Sequence, residues 1–309
     1  MTTSTDLFEV AKIHKDVSDP DVAHLAIGLN KVVSSNGVKG LEIQTEEQAD
    51  GVDIAITVAE GAVIAKPVHM CFGLLQEEGI QKINLRLVVE PRARIGVTAH
   101  CVFPNAEDVQ HLMDADIRIA EGADYAYFER HIHSPEGGIT VVPKAAIHLE
   151  PGARFKTDFE LIEGRVGSID IDYEVTCEAD TRMEMNAAVS GRGDDHIQIR
   201  EVGHLVGEDS RGVLLSRVAV RDDAVAEIYN ELTASAAGAR GHVDCKEIVQ
   251  GNASANAVPV VKVNHPKAHI THEAALGSVD SRQLETLMAR GLSEDEATEV
   301  IINGLLRFG

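Results

Sequence analysis

Residues 114–133, DADIRIAEGADYAYFERHIH, hold two runs of alternating polar and apolar residues joined by the tripeptide EGA. Alternation with period two marks a half-buried strand, and a small turn-forming tripeptide between two such runs is a corner. The arrangement recurs along the chain. Comparable corners end at Ala93 (EPRA), Ala123, Ala153 (EPGA), Asp180 (EAD), Ser210 (EDS), Ala224 (DDA), Ala253 (GNA) and Ala268 (PKA). Most steps between them are nearly equal, as from Ala93 to Ala123, Ala123 to Ala153, Asp180 to Ser210 and Ala224 to Ala253. The step from Ala153 to Asp180 is slightly shorter, and those from Ser210 to Ala224 and from Ala253 to Ala268 are half as long. One length and its half are what a coil of strand, corner, strand, corner produces. A single rung cannot bury its apolar face alone, so rungs stack and share a continuous core. The spacing predicts a mainly β solenoid from about residue 80 to 273. The rival is a large antiparallel sandwich, whose strands also come at short intervals.

Both flanks read differently. Residues 1–50 read as helical: SDPDVAHLAIGLNKVV (18–33) offers Asp19 as N-cap, Pro20 at the first helical position, and Val22, Leu25, Ala26 and Leu29 on one face. SSNGVKG (34–40) breaks that pattern, and VDIAITVAEGAVI (52–64) opens a β region taken as 51–277. The last region, 278–309, has helical period. Asp280 with Gln283, and Ser293 with Glu296, form capping-box patterns ahead of the stripes Leu284, Leu287, Met288 and Val300, Ile301, Leu305. This helical hairpin either closes the open end of the solenoid or offers a docking face.

Composition narrows the function. Of 309 residues 44% are hydrophobic but only 4% aromatic, with no Trp, which suits a core of stacked Val, Ile, Leu and Ala. Fifty acidic against 28 basic side chains give a net charge of −22, which repels phosphate backbones and excludes nucleic acid as a natural partner. Four Cys at 71, 101, 177 and 245 form no CxxC pair, so neither a disulfide framework nor a closed zinc site is indicated. The N-terminal residues lack the basic-then-apolar order of a signal peptide, and no apolar run approaches the ~18 residues of a membrane span. The expectation is a cytoplasmic, reduced protein without a membrane partner. No GxxxxGK[ST], GxSxG or HExxH motif is present, so ATP hydrolysis is not expected in this chain.

The C-terminal third resembles the SufB/SufD family, the scaffold subunits of iron–sulfur cluster assembly. HVDC (242–245), AVPVV (257–261), THEAALGSVDSRQLETLMARGLSEDEA (271–297) and VIINGLL (300–306) carry the resemblance, which continues more weakly through the β repeats. The chain looks like the compact archaeal-type version that works as a single scaffold species. The resemblance implies a right-handed parallel β-helix flanked by helical segments. It also implies a homodimer through the β-helix and an ABC-type ATPase (SufC-like) docked on the C-terminal helices, which shifts the hairpin from cap to docking site. A sulfur donor and acceptor proteins for the cluster are further implied partners.

The resemblance also implies the site. Cys245 takes the position of the sulfur-accepting Cys of B-type subunits, where a thiolate is both nucleophile and iron ligand. His242 and Lys246 favour the thiolate if oriented toward it, while Asp244 and Glu247 oppose it. His272 and Glu273 match the HE near the subunit interface; D-type subunits keep the His but have Gly at the Glu position. Together Cys245, His272 and Glu273 are the expected ligands of a transient iron–sulfur cluster, shared across a symmetric dimer. Adjacent strand residues point to opposite faces, so His272 and Glu273 are weighed separately. B-type members have a second Glu before the His, where this chain has Thr271, so Cys245 and Glu273 carry most of the expectation.

Two other readings compete. A D-type structural subunit would bind the ATPase without a cluster, and Cys245 with Glu273 argues against it. A β-helix enzyme acting on polysaccharide would be expected to carry a secretion signal. Upstream, His69, Cys71, His100, Cys101, His111, His131 and His133 accumulate. His131 and His133 share a strand face, and Cys71 and Cys101, one repeat length apart, could stack on neighbouring rungs. A second metal or sulfur-handling site is conceivable there; hydrogen-bonded structural histidines are the plainer reading.

Overall fold

Strand and corner alternate from His24 to Gly277 in a computed structural model that describes residues 4–307. Two short helices come first, α1 (Ser4–Val10) and α2 (His14–Val17). Two antiparallel pairs follow: β1 (His24–Gly28) with β2 (Lys31–Asn36), and β3 (Leu41–Glu47) with β4 (Val52–Val58). The coil proper then runs through β5 (Val68–Gly73), β6 (Glu78–Val89), β7 (Arg94–Phe103), β8 (Asp108–Ile119), β9 (Asp124–His133) and β10 (Ile139–Leu149). It continues with β11 (Arg154–Glu163), β12 (Ser168–Cys177), β13 (Arg182–Gly191), β14 (His196–Leu205) and β15 (Arg211–Val220). It finishes with β16 (Val225–Ala234), β17 (Arg240–Val249), β18 (Ser254–Val263) and β19 (His269–Gly277), followed by helices α3 (Ser281–Met288) and α4 (Glu294–Leu306).

From β5 onward the odd strands stack in one sheet and the even strands in the other, each parallel to its neighbours, giving a β-solenoid of about eight turns. One turn carries the chain from Arg94 to the facing Asp124 or, slightly tighter, from Arg154 to the facing Arg182. In β12 the inward Ile169, Ile171, Tyr173, Val175 and Cys177 are buried and the residues between them face outward. Each such aliphatic contributes roughly 1.5–3 kcal/mol by leaving water. At the corners Arg92, Gly122, Gly152, Asp180 and Asp209 hold φ between 56° and 73°, the left-handed region that Gly, and less readily Asp, tolerates. The residue after each one, Ala93, Ala123, Ala153, Thr181 or Ser210, is fully buried and small, because the two sheets converge there.

The helix expected over 19–33 is instead β1 and β2, so residues 1–50 are only partly helical. All five residues of β1 are buried. Leu25 and Ile27 face the solenoid core, while Ala26 lies under α1 with Leu7 and Phe8. A strand covered on both faces shows no alternation and reads as an unbroken apolar run. Asp19 caps no helix; its carboxylate accepts from the Asp21 N–H and pairs with Lys66 at 2.6 Å.

The C-terminal hairpin forms as expected, with Asp280 and Ser293 as N-caps and a full capping box at Ser293 and Glu296. It does not close the end of the coil. Ile302 and Leu306 pack on Ala188 of β13 and Ala219 of β15, on the outer face of the odd-strand sheet, and Arg221 pairs with Glu299 at 2.8 Å. At the first edge β2 and β3 close the sheets antiparallel, whereas at the last edge the sheets end on β19 and β18.

Candidate functional site

The last rungs carry polar side chains where the pattern calls for apolar ones. In β14 the inward series runs Ile197, Ile199, Glu201; in β15, Leu214, Ser216, Val218; in β16, Ile228, Asn230, Leu232; in β17, Val243, Cys245, Glu247. Register places Glu201 opposite Asn230 and Ser216 opposite Cys245. Asn230 Nδ2 donates to Ser216 Oγ at 2.5 Å and lies 3.5 Å from Cys245 Sγ. Glu201, Ser216, Asn230, Cys245 and Glu247 are all buried.

These groups are poorly satisfied. Glu201 Oε2, Asn230 Oδ1 and both carboxyl oxygens of Glu247 have no hydrogen-bond partner. Burial alone pushes Glu201 up to about 8. Burial also raises Glu247 to about 7, against the pull of the Arg217 guanidinium. The Cys245 thiol is pushed up to about 12, chiefly by burial and then by the neighbouring Glu247. Each buried polar atom left unpaired costs about 1–3 kcal/mol. A fold that keeps several of them together around one thiol has the character of a functional site, where stability is given up for chemistry.

The structure places the expected residues on different faces. Cys245 points into the solenoid, whereas His272 and Glu273 lie exposed on β19. His272 stands opposite Val243 and so shares the inward face of Cys245, while Glu273 stands opposite Asp244 on the outward face. Asp244 is paired with Arg217 at 2.6 Å and Lys246 at 3.1 Å. Burial opposes ionisation of Asp244, but these two cations hold its carboxyl below the usual range. His242 and Lys246 alternate with Cys245 and face outward; His242 Nδ1 meets Thr271 Oγ1 at 2.8 Å. Neither supports a thiolate at Cys245, contrary to what their closeness in sequence suggested. Within one chain Cys245, His272 and Glu273 do not converge: among the described residues the one trio of His, Cys, Asp or Glu whose ligand atoms lie within 4.8 Å is Cys101, Glu129 and His131.

The upstream His and Cys residues fall into two groups. Cys71 stands opposite His100 and is packed beneath α1, and the His69 and His100 rings stack at 6.0 Å. Cys101 stands opposite Phe72 and His131 and faces the core. Cys71 and Cys101 therefore do not stack. The step from β5 to β7 is one position shorter than the repeat read from the corners, so the two thiols point to opposite sides. His131 and His133 do share the inward face, Nδ1 to Nε2 at 3.0 Å.

Glu201, Ser216 and Asn230 were not anticipated from the sequence. Their signal is a lone polar residue on an otherwise apolar inward stripe, as in HIQIREVGHL (196–205), and it is readable once the phase of each strand is known.

Beside this site α3 and α4 frame an open groove of about 720 Å³ lined by Ile248, Leu287, Val300, Ile301 and Leu305. Among the described residues no helix is long and apolar enough to cross a membrane.

Comparison with known proteins finds relatives along nearly the whole chain. The family model "SUF system FeS cluster assembly, SufBD core domain" matches residues 72–305. An iron–sulfur cluster assembly SufBD family protein of Methanocaldococcus jannaschii is 33% identical over 99% of both chains. One from Pyrococcus horikoshii is 35% identical over 92% of this chain and 87% of its own. The iron–sulfur cluster assembly protein SufB of Bacillus subtilis is 23% identical over 81% of this chain and 54% of its own. A core-domain model that matches most of the chain and near full-length relatives lead to one conclusion: the chain belongs to the SufBD family of iron–sulfur cluster assembly proteins.

Proposed function

We propose that the chain is a cytoplasmic scaffold on which an iron–sulfur cluster is built where two copies of the solenoid meet, in complex with a SufC-like ABC ATPase. The observation that carries this reading is the Cys245 thiol, buried under the last edge among carboxyls that lack partners. At neutral pH a thiol raised to about 12 and shut inside the coil is no nucleophile, and incoming sulfur or iron reaches it only through a motion that opens the last rungs. An ATPase partner supplies such work; this chain has no phosphate loop of its own. Iron and sulfide are the cargo. Once opened, Cys245, with Glu201 and Glu247 able to give up protons, offers sulfur and oxygen donors.

The edge itself supports a homodimer. Val258, Val263 and Leu276 are large apolar residues exposed on β18 and β19, and an unpaired sheet edge is a template for a second chain. A two-fold contact there doubles His272 and Glu273 and brings both beside the two Cys245 rungs. The α3–α4 groove suits the ATPase, being apolar at Leu287, Val300, Ile301 and Leu305. Sulfur donors and cluster acceptors are the remaining partners.

Anaerobic co-expression with the ATPase, iron and a sulfur source tests the reading, through cluster absorbance and iron content of the parent, Cys245→Ser and Glu273→Ala. The scaffold reading predicts a coloured parent complex that loses iron in both variants. A complex that forms but stays colourless refutes it and makes the chain a D-type structural subunit.

A further inference from the structure

The geometry points to a mononuclear metal site inside the solenoid, built from Cys101, Glu129 and His131, that takes one divalent transition-metal ion. It lies several rungs from Cys245 and does not rest on the scaffold reading.

Cys101 on β7 and Glu129 and His131 on β9 all face the core and are at most 1% exposed. Cys101 Sγ lies 3.5 Å from Glu129 Oε1, which lies 2.9 Å from His131 Nε2. From the facing sheet His111, on β8, brings its Nε2 to 3.8 Å from the same sulfur, and its Nδ1 has no partner. The second carboxyl oxygen, Glu129 Oε2, is likewise buried without a partner. His131 Nε2 is aimed at the site because its other nitrogen is held: Nδ1 meets His133 Nε2 at 3.0 Å, and His133 Nδ1 donates to the Arg165 carbonyl at 3.0 Å. A held second nitrogen is what fixes a ligating imidazole.

The spacings suit a small ion. Metal–sulfur bonds of about 2.3 Å and metal–nitrogen or metal–oxygen bonds of about 2.0–2.2 Å put tetrahedral ligand atoms roughly 3.3–3.6 Å apart. The sulfur contacts at 3.5 and 3.8 Å are close to that, and the 2.9 Å Glu129–His131 contact widens once the proton between them leaves. Mixed sulfur, nitrogen and oxygen donors select Zn²⁺ or Fe²⁺ over Mg²⁺ or Ca²⁺, which take oxygen alone.

Charge selects a dication. The run from Glu129 through His131 and His133 to the Arg165 carbonyl has three links, and two neutral imidazoles carry only two protons between them. The third proton sits on the Glu129 carboxyl or on a ring, so with the thiol neutral the site carries no net charge. A divalent ion that displaces this proton and the thiol proton leaves a carboxylate, a thiolate and two positive charges. The buried site is neutral before and after. A monovalent or trivalent ion would leave an uncompensated buried charge, which is costly.

The full chain, unfolded with chelator and refolded with Co²⁺ or Zn²⁺, provides the test. The site predicts one ion per chain that chelator removes only on unfolding, and a sulfur-to-cobalt charge-transfer band. The band is lost in Cys101→Ser, kept in Cys245→Ser and Cys71→Ser, and Glu129→Gln weakens binding by more than the roughly 10–100-fold that losing an outer partner of a ligand costs. X-ray absorption of the Zn²⁺-loaded parent, which needs no variant to fold, should give one sulfur with nitrogen and oxygen neighbours. A shell without sulfur, less than stoichiometric metal, a sulfide-containing cluster at these residues, or a band that survives Cys101→Ser overturns the proposal.

Discussion

Replacing Glu201 by Gln should stabilise this protein, by an amount that grows with pH. The side chain is 2% exposed, Oε2 has no partner, and burial alone carries the carboxyl from 4.5 to about 8. Below 4.5 both the folded and the unfolded chain hold the proton, and the group adds no pH dependence. Between 4.5 and 8 the unfolded chain releases the proton while the folded one keeps it. Each pH unit in that window therefore removes about 1.4 kcal/mol from the stability. The loss is about 3 kcal/mol at pH 7 and levels off near 5 kcal/mol above pH 8. Gln has the size of the protonated carboxyl and cannot ionise. The difference between Glu201→Gln and the parent should be close to zero at pH 4.5 and rise steadily to the plateau. Urea unfolding followed by far-ultraviolet circular dichroism across pH 4.5–9 measures it. A difference that stays flat with pH, or a variant less stable at pH 8.5, refutes the claim that Glu201 is carried inside the coil at a cost.

Other outcomes follow from the same structure. Glu247→Gln should behave alike, with a smaller plateau of about 3 kcal/mol reached near pH 7, because its carboxyl is raised only to about 7. All four cysteines are buried, and raising Cys71, Cys177 and Cys245 from 9.0 to about 12 cuts their thiolate fraction about 1000-fold. A thiol reagent at pH 8 should thus find almost none in the native protein and four after unfolding; rapid labelling of native Cys245 would contradict its burial. Asp195 is fully buried and accepts from the Val166, Gly167 and Arg192 backbone N–H groups and from Arg165 Nε. Asp195→Ala leaves all four without that acceptor and should cost about 3–5 kcal/mol in the urea assay. Ser293→Ala removes the capping box of α4 and should cost about 1 kcal/mol, visible as faster hydrogen exchange at the start of α4 with the strands unchanged.

The sequence by itself determined the repeat, the two C-terminal helices and the family. Corners recur at one length and its half because small residues fit where the coil turns. At Arg92, Gly122, Gly152, Asp180 and Asp209 a left-handed residue precedes a small buried one, and both features are local. Asp280 and Ser293 announce their helices for the same reason, since a cap lies close along the chain to the group it satisfies. Only the tertiary structure decided which way side chains point. β1 could not be told from a helix because its outer face is hidden by α1, a contact made across the fold. A step from β5 to β7 that falls one position short of the repeat sends Cys71 outward and Cys101 inward. The convergence of Glu201, Ser216, Asn230 and Cys245, from four strands of two sheets, depends on the register of stacked rungs. A one-residue slip in that register moves every side chain to the other face. Hydrogen bonds between distant strands, not spacing along the chain, set which phase is adopted.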